Sequence, residues 1–392
     1  MRMWVGMLTA GLLVLAGCGD STETAGGDGS SAAGSPTPAT QFEVTPADGA
    51  RAVAADSPVK VQAVGGPLSE VRVTDGKGSE LEGAYSPDRA SWTATQPLKV
   101  GTRYRVHAWG DGEDGQQVEN TTGFTTKDVA RSGTLEVANV MPEDGDKVGI
   151  GHPLQVTFNQ PVTDRATVQN ALQVSTTPPV EGAWYWIDDV TVDYRPQAFW
   201  PANTTVKLRA KLAGINAGDN IIGGKNLNSG FTVGRAQTIQ VDVDKHRLQV
   251  LQGKRVLKTY DVSTGKKNWE TRNGTKVIMA KEGQHTWTNE AIDAKKEYRY
   301  KSKYAMRITN SGEFLHDAPW NAGNIGETNT SHGCVGLLPK DQKWLYQNSM
   351  VGDPVVVVGS PKPFGDLTNR IADWNIPWEQ WKAGNVDQSG GA

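Results

Sequence analysis

Hydrophobic and polar residues alternate in short runs along most of the chain. Three examples are the runs VKVQAV at Val59–Val64, LQVTF at Leu154–Phe158 and TVKLRA at Thr205–Ala210. A period of two is typical of β-strands that bury one face. Turn residues interrupt the runs at intervals of about ten residues, as in β-sandwiches. The pattern therefore predicts a mainly β protein.

The first runs form two similar segments, residues 41–127 and 133–234. Both open alike, with VTPADG from Val44 and VMPEDG from Val140, and both end alike, with GFTT from Gly123 and GFTV from Gly230. This internal repeat of about a hundred residues predicts two tandem immunoglobulin-like sandwiches. We interpret them as spacers, with a binding role as the alternative.

Three consecutive aromatic residues, Trp184, Tyr185 and Trp186, lie in the second segment. Neighbouring residues of a strand face opposite ways, so we expect one of these side chains to be exposed. An exposed aromatic would suit a binding surface. The alternative is that the three residues supply the core and a contact between domains.

Residues 237–359 form a third β-rich block. Thr238–Val243 and His246–Leu251 look like paired strands, and Val355–Val358 reads as a buried strand. A short helix is expected over Lys340–Asn348, with Asp341 as its capping residue.

A C-terminal extension, residues 360–392, follows this block. It carries Trp374, Trp378 and Trp381 close together. Three indole rings are costly to leave in water, so we expect this tail to fold back and dock on a domain surface.

The N-terminus carries an export signal. An apolar run follows Arg2, is too short to favour a membrane-spanning helix, and ends in Leu-Ala-Gly before Cys18. Residues 1–18 therefore resemble a bacterial lipoprotein signal peptide with a lipobox, and an ordinary signal peptide with an incidental Cys is the alternative. Acyl chains on Cys18 would anchor an exported protein to the outer face of the cytoplasmic membrane, facing the cell wall. Residues 19–40, rich in Gly, Ser and Ala, read as a flexible tether.

Composition narrows the possible partners and chemistry. The 392 residues carry a net charge of -3 and no long basic stretch, which argues against nucleic acid. We expect no cofactor, and no metal because the His and Cys spacing offers no four-ligand set. The chain has 2 Cys, so acylation of Cys18 would leave Cys334 as the one free thiol. A lone thiol in an exported protein is either buried filler or a reactive group.

Two histidines lie near Cys334 in the sequence, His316 and His332. A thiol needs a base to attack an acyl carbon near neutral pH, and a His within hydrogen-bond reach can take its proton. Gly333 lets the backbone turn sharply before the Cys, so that the amides of Gly333 and Cys334 can face a developing oxyanion. The thiol, the two histidines and the glycine turn together predict an acyl-transfer site.

These residues resemble a known signature. SHGC at Ser331–Cys334, preceded by His316, is similar to the motif of the L,D-transpeptidases with a YkuD-type catalytic domain. HDAPW at His316–Trp320, TNTSHGC at Thr328–Cys334 and DWNIPW at Asp373–Trp378 resemble the actinobacterial branch. Two immunoglobulin-like domains and a lipobox also suit that branch.

The resemblance implies a specific reaction. The Cys attacks the carbonyl of meso-diaminopimelate, the third residue of a peptidoglycan tetrapeptide stem, and D-Ala leaves. The side-chain amine of diaminopimelate on an acceptor stem then resolves the thioester and gives a 3→3 cross-link. Carbapenems acylate the same Cys in this family.

The resemblance also implies residue roles. Cys334 is the nucleophile, His316 is its general base, and His332 supports the thiol. The amides of His332, Gly333 and Cys334 form the oxyanion hole. The positions that match the family's substrate paths and lid are Tyr298, Met279, Phe314, Trp320, Asp317 and Ser331.

Three features depart from the family pattern. Position 317 is Asp where Ser is common. The family orients the base through the backbone carbonyl of this residue, so a different side chain should be tolerated. We hypothesise that the extra carboxylate raises the pKa of a nearby His. Position 336 is Gly where Asn or Arg is usual, which leaves the acceptor preference open. The lid segment 284–303 is rich in Lys and Glu and has no Gly-Pro hinges.

Two other functions remain open. An L,D-carboxypeptidase or a D-amino-acid exchange enzyme would form the same thioester and use water or a free D-amino acid as acceptor. A non-catalytic cell-wall binding lipoprotein is disfavoured by the intact Cys334, His316 and His332.

Overall fold

The computed structural model describes residues 40–112, 116–129, 132–288, 299–365 and 371–386. These residues are mainly strands, which confirms the fold class expected from the alternation of apolar and polar residues. The expected signal peptide, Cys18 and nearly all of the tether lie outside the described residues.

The first sandwich packs a four-stranded sheet, in the order β1-β2-β5-β4, with a three-stranded sheet, in the order β3-β6-β7. Alternate residues of the strands face inward, and Trp92, Tyr104 and Phe124 fill much of the core. The strands are β1 Gln41–Thr45, β2 Lys60–Val64, β3 Leu68–Asp75, β4 Gly83–Tyr85, β5 Ser91–Ala94, β6 Arg103–Asp111 and β7 Gln117–Thr125.

The second sandwich packs two four-stranded sheets, β13-β14-β11-β9 and β10-β17-β15-β12, beside a small β16-β8 pair. Trp186, Trp200 and Phe231 lie in its core. The elements are β8 Gly133–Leu135, β9 Val137–Met141, β10 Lys147–Val148, β11 Leu154–Phe158, α1 Arg165–Asn170, β12 Leu172–Thr177, β13 Gly182–Trp186, β14 Thr191–Pro196, β15 Thr205–Ala210, β16 Ile221–Gly223 and β17 Leu227–Val233.

The expectation of one exposed aromatic in the run Trp184–Trp186 is wrong. Trp184 and Trp186 belong to the core of the second sandwich, as inward-facing strand residues should. Tyr185 faces the opposite way and is also buried, because Trp381 of the C-terminal tail stacks on it with ring centroids 4.9 Å apart. The run therefore supplies the core and a contact with the tail.

The third block has a five-stranded sheet, β20-β19-β18-β26-β21, and a four-stranded sheet, β22-β23-β24-β25. β18 and β26 run parallel, as do β24 and β25. The elements are β18 Gln237–Asp242, β19 Arg247–Gln252, β20 Arg255–Asp261, β21 Gly274–Val277, β22 Ala280–Thr288, β23 Arg299–Arg307, β24 Phe314–Asp317, β25 Val335–Leu337, α2 Pro339–Asn348 and β26 Pro354–Val358.

Helix α2 forms where a helix was expected, but Asp341 does not cap it. The helix begins at Pro339, its N-cap residue is Leu338, and no side chain makes a capping hydrogen bond. Proline suits the first helical position because its missing N–H would have no helical partner there. Asp341 lies in the first turn, where its charge is favourable to the helix dipole.

The C-terminal tail packs against the second sandwich, which confirms the docking expected from its three tryptophans. It forms a 3₁₀ turn, Asp373–Asn375, and a short helix, α3 Trp378–Ala383. Trp381 is 0% exposed, and its Nε1 donates to the Ala183 carbonyl at 2.8 Å. The buried Arg195 guanidinium lies over the Trp381 ring at 4.3 Å, a cation–π contact.

The tail also reaches the third block. The Asn375 amide group accepts from the Thr275 N–H at 2.8 Å and donates to the Thr275 carbonyl at 2.7 Å. Trp374 Nε1 donates to the Gly151 carbonyl at 2.7 Å. The tail therefore joins the second sandwich to strand β21.

Among the described helices, none has the length and apolar character needed to cross a membrane.

We expect replacement of Trp381 by Ala to lower the free energy of unfolding by about 3–5 kcal/mol, because it removes a fully buried indole. Denaturant unfolding followed by circular dichroism measures the change. Lys382→Ala is the matched control on the same helix. It removes an ion pair with Glu181 that is exposed on both sides, so its effect should stay within about 1 kcal/mol. Equal effects of the two changes would contradict the docked tail.

Candidate active site

Strand pairing brings Cys334 and His316 to one face of a sheet. β24 and β25 are parallel neighbours in which His316 lies opposite Gly336. Cys334 directly precedes β25 and lies two residues before Gly336, so its side chain has the same facing as position 336. Both Cys334 and His316 line the same pocket.

The His316 ring is neutral and can accept a proton. Its Nδ1 donates to the Asp317 backbone carbonyl at 3.0 Å, and since a carbonyl only accepts, Nδ1 carries the proton of the neutral ring. Nε2 then keeps its lone pair. Burial lowers the pKa of His316, outweighing the opposite effects of the Asp317 carbonyl and the Asp317 charge. The ring is therefore neutral near pH 7.

The Asp317 charge raises the pKa of His316, in the direction that the hypothesis for the extra carboxylate gave, but burial of the ring has the larger effect. The net direction is downward.

The Cys334 thiol is protonated at rest. Its Sγ donates to the Gly312 carbonyl at 3.6 Å. Burial raises the pKa of Cys334 to about 12, and the Glu313 charge adds to this, while a hydrogen bond from the Phe314 backbone and the Arg307 and Lys276 charges oppose it. A thiol in this state needs a base before it can attack.

Gly333 forms the turn before Cys334. Its φ is +124°, a conformation that favours glycine. The Gly333 N–H donates to Ser331 Oγ at 3.1 Å, and Ser331 Oγ donates to the Cys334 carbonyl at 2.7 Å. The Gly333 amide therefore already has an acceptor in this structure, and its assignment to an oxyanion hole stays a prediction.

His332 lines the pocket, but its Nε2 already accepts a hydrogen bond. Lys266 Nζ lies 2.9 Å away, and since an ammonium only donates, Nε2 is the acceptor. Burial and the Lys266 charge both lower the pKa of His332. Its ring meets the edge of Trp269 at 5.0 Å. His332 thus belongs to a structural network beside the thiol.

The pocket itself has a volume of about 610 Å³ and aromatic walls. Trp287 contacts His316 at 4.7 Å and Phe314 at 4.9 Å between ring centroids. Trp320 stacks on Tyr300 at 4.6 Å and is 38% exposed. Phe314, Trp320 and Ser331 line the pocket, where sequence analysis had placed them.

Two residues assigned to substrate binding lie elsewhere. The buried Asp317 Oδ1 accepts from Ser302 Oγ at 2.9 Å and from the backbone N–H groups of 303 and 304 at 2.8 Å and 3.0 Å. The carboxylate therefore holds β23 and does not line the pocket. Met279 is also outside the lining, and its amide donates to the Arg307 carbonyl at 2.8 Å. Tyr298 lies outside the described residues.

A buried charge cluster below the thiol was missed by sequence analysis. Lys276 is 0% exposed and its Nζ lies 3.0 Å from Glu313 Oε2, while Arg272 lies 3.3 Å from Glu313 Oε1. In the sequence, Lys276 lies between Thr275 and Val277, and no local pattern indicates that it is buried. Only the packing of β21 against the loop that carries Glu313 buries it.

Gly336 pairs by backbone with Ser263, donating at 2.8 Å and accepting at 3.0 Å. A Cβ at this position would meet Ala318 Cβ at 3.2 Å and His316 Cε1 at 4.0 Å. Position 336 therefore contributes no polar group, and its small size leaves room beside the His316 ring.

Comparisons with known proteins agree with this architecture. Residues 50–216 match the bacterial Ig domain family, and residues 236–357 match the L,D-transpeptidase catalytic domain family.

Two relatives from Mycobacterium tuberculosis cover most of the chain. L,D-transpeptidase 2 of strain CDC 1551 / Oshkosh is 34% identical over 86% of this chain and 83% of its own length. L,D-transpeptidase 5 of strain H37Rv is 35% identical over 88% of this chain and 77% of its own length. The solved structure of the LD transpeptidase LdtMt1 in complex with imipenem is 33% identical, with a TM-score of 0.50 over 57% of this chain and 98% of that one. The matched catalytic domain, the immunoglobulin-like repeat and the near full-length relatives together show that this chain belongs to the L,D-transpeptidase family.

Proposed function

We propose that this protein forms 3→3 peptidoglycan cross-links through a thioester on Cys334. The donor is a tetrapeptide stem that loses its terminal D-Ala. The acceptor is the side-chain amine of diaminopimelate on a second stem. No cofactor or metal takes part.

The observation that carries this proposal is the neutral His316 ring with its Nε2 lone pair, on the strand next to the protonated Cys334 thiol. Nε2 takes the thiol proton as Sγ bonds to the diaminopimelate carbonyl carbon. The imidazolium then returns that proton to the nitrogen of D-Ala as the peptide bond breaks, leaving the thioester.

The second half of the reaction reverses these roles. The acceptor amine attacks the thioester carbon, and His316 Nε2 takes a proton from the nitrogen. The C–S bond breaks, the sulfur regains a proton, and a new amide joins the two stems. The aromatic-walled pocket, which both Cys334 and His316 line, offers space for a peptide stem beside the thiol.

β-Lactams of the carbapenem class are the inhibitors we propose for this site. The related LdtMt1 structure is a complex with imipenem. Ring opening by Cys334 would use the same thiol and the same base as attack on a peptide carbonyl.

Hydrolysis or D-amino-acid exchange is the second candidate function. Gly336 supports it, because this position places no polar side chain in the pocket to contact an acceptor stem. Water competes for any thioester, so the acceptor decides whether the enzyme is a transpeptidase or an L,D-carboxypeptidase. A purely structural cell-wall binding role fits a catalytic pair of this kind less well.

We also propose export and lipid anchoring through Cys18, on the outer face of the cytoplasmic membrane. The sequence Leu-Ala-Gly before Cys18 supports this proposal.

The soluble body is the protein without its signal peptide and tether, residues 1–40. Its incubation with disaccharide-tetrapeptide should give a cross-linked dimer and free D-Ala, detected by mass spectrometry. Cys334→Ala should abolish both products, because no other thiol remains in that body. Tripeptide without dimer would identify a carboxypeptidase instead. Full activity in Cys334→Ala would contradict the mechanism.

The pH dependence of acylation should show a plateau near neutrality. Because burial lowers the pKa of His316 below its ordinary value of 6.5, the base is mainly unprotonated near neutrality; the acylation rate should change little from pH 8 to pH 7, and the midpoint of its fall should lie below pH 6.5. Because the pKa of Cys334 is about 12, a reaction that needed a free thiolate would instead rise about tenfold per pH unit across this range. Stopped-flow acylation by imipenem distinguishes the two profiles.

Cys18→Ala should move the protein from the membrane fraction to the soluble exported fraction, because no acyl chain can then be attached. Fractionation and the mass of the mature N-terminus measure this. Ser21→Ala, a nearby change in the tether, is the matched control and should remain in the membrane fraction. Unchanged membrane retention of Cys18→Ala would rule out the anchor.

A further inference from the structure

A buried hydroxyl group lies behind the turn that carries the nucleophile. Thr271 is 0% exposed. Its Oγ1 accepts from the Gly265 N–H at 2.9 Å and donates to the Gly333 carbonyl at 2.9 Å. Thr271 does not line the pocket. Its hydroxyl therefore acts on the backbone of the turn and not on a ligand.

This hydrogen bond sets the direction of the next amide. A trans peptide unit is planar, and its C=O and N–H point in opposite directions. The Gly333 carbonyl points into the interior, toward Thr271, whereas Cys334 faces the pocket. The N–H of Cys334 is consequently directed toward the pocket side of the turn.

Two neighbouring backbone groups of the turn, the Gly333 N–H and the Cys334 carbonyl, are occupied. Ser331 Oγ accepts from the Gly333 N–H and donates to the Cys334 carbonyl. Among the hydrogen bonds made by the described residues, none uses the Cys334 N–H. This amide thus has no competing acceptor in the turn and remains available to a ligand in the pocket.

The turn would not hold this arrangement by itself. Gly333 has a φ of +124°, and glycine passes readily between this region and others. A flip of the peptide between 333 and 334 would turn the carbonyl toward the pocket and the N–H away from it. The Thr271 hydroxyl opposes the flip, because the flip would leave the proton of a buried hydroxyl without its acceptor, the Gly333 carbonyl.

We propose that Thr271 is a positioning residue for the oxyanion hole: its hydroxyl fixes the Gly333–Cys334 peptide so that the Cys334 N–H faces the oxyanion of the tetrahedral intermediate. This role rests on the proposed thioester chemistry. In this proposal the Cys334 side chain is the nucleophile and the Cys334 N–H donates a hydrogen bond to the oxyanion. The Gly333 N–H, which is bound to Ser331 Oγ, is not needed as a donor.

The test compares two reactions of the same thiol. Acylation by imipenem passes through an oxyanion, whereas alkylation by iodoacetamide is a direct displacement and forms none. Both rates are measured on the folded body at one pH, by mass spectrometry of the Cys334 adduct. The variants are Thr271→Val, which keeps the shape without the hydroxyl, and Thr271→Ser, which keeps the hydroxyl.

We expect Thr271→Val to slow imipenem acylation by about 100-fold, the typical effect of losing one oxyanion donor, and to leave alkylation close to wild type. Thr271→Ser should restore acylation. If Thr271→Val does not give folded protein, Thr271→Ala removes the same hydroxyl with less apolar volume and is measured in its place.

Two outcomes would contradict the proposed role of Thr271 and leave the proposed function of the protein unaffected. One is equal acylation by the folded hydroxyl-free variant and the wild type. The other is a parallel loss of acylation and alkylation, which would assign Thr271 to the fold alone. Failure of wild-type protein to be acylated at Cys334 would overturn the proposed function, and the role of Thr271 with it.

Discussion

The parallel pairing of β24 with β25 is the constraint on which the site depends. In its register His316 lies opposite Gly336, so the side chains of Cys334 and His316 lie on the same face of the sheet. Side chains alternate along a strand, so a slip of one residue would send the two groups to opposite faces. Helix α2 supports this register, since Gln342 donates to the Leu315 carbonyl at 3.1 Å.

Burial then decides the protonation states. It raises the pKa of Cys334 and lowers that of His316, so the resting pair is a neutral thiol and a neutral imidazole. In the proposed reaction, charge would develop only as the thiol attacks, where fixed donors can stabilise it without reorganising. In the turn before Cys334, Thr271 and Ser331 bind the Gly333 carbonyl, the Gly333 N–H and the Cys334 carbonyl, whereas none of the described hydrogen bonds uses the Cys334 N–H.

The second sandwich and the tail extend this support beyond the catalytic block. Arg195 lies among the rings of Trp374, Trp378 and Trp381, at 4.9, 5.6 and 4.3 Å. Asn375 in the same tail brackets Thr275 of β21 with two hydrogen bonds. The next residue, Lys276, points into the charge cluster with Glu313 below the thiol. A continuous set of contacts thus connects the tail to the surroundings of Cys334, and the second sandwich is part of the framework that holds the active site.

The sequence by itself determined the β architecture, the repeated sandwiches and the Cys–His motif, because period-two patterns, turn residues and short motifs are local properties of the chain. It also indicated the docked tail, since three clustered tryptophans must be buried somewhere. It did not determine the burial of Tyr185, the inward turn of Asp317, or the partners of Lys276 and Thr271. Each of these depends on a partner far away in the chain: Trp381, Ser302, Glu313 or the Gly333 carbonyl. Only the tertiary structure brings such partners within hydrogen-bond or packing distance, and so only it decides which polar groups are free to act.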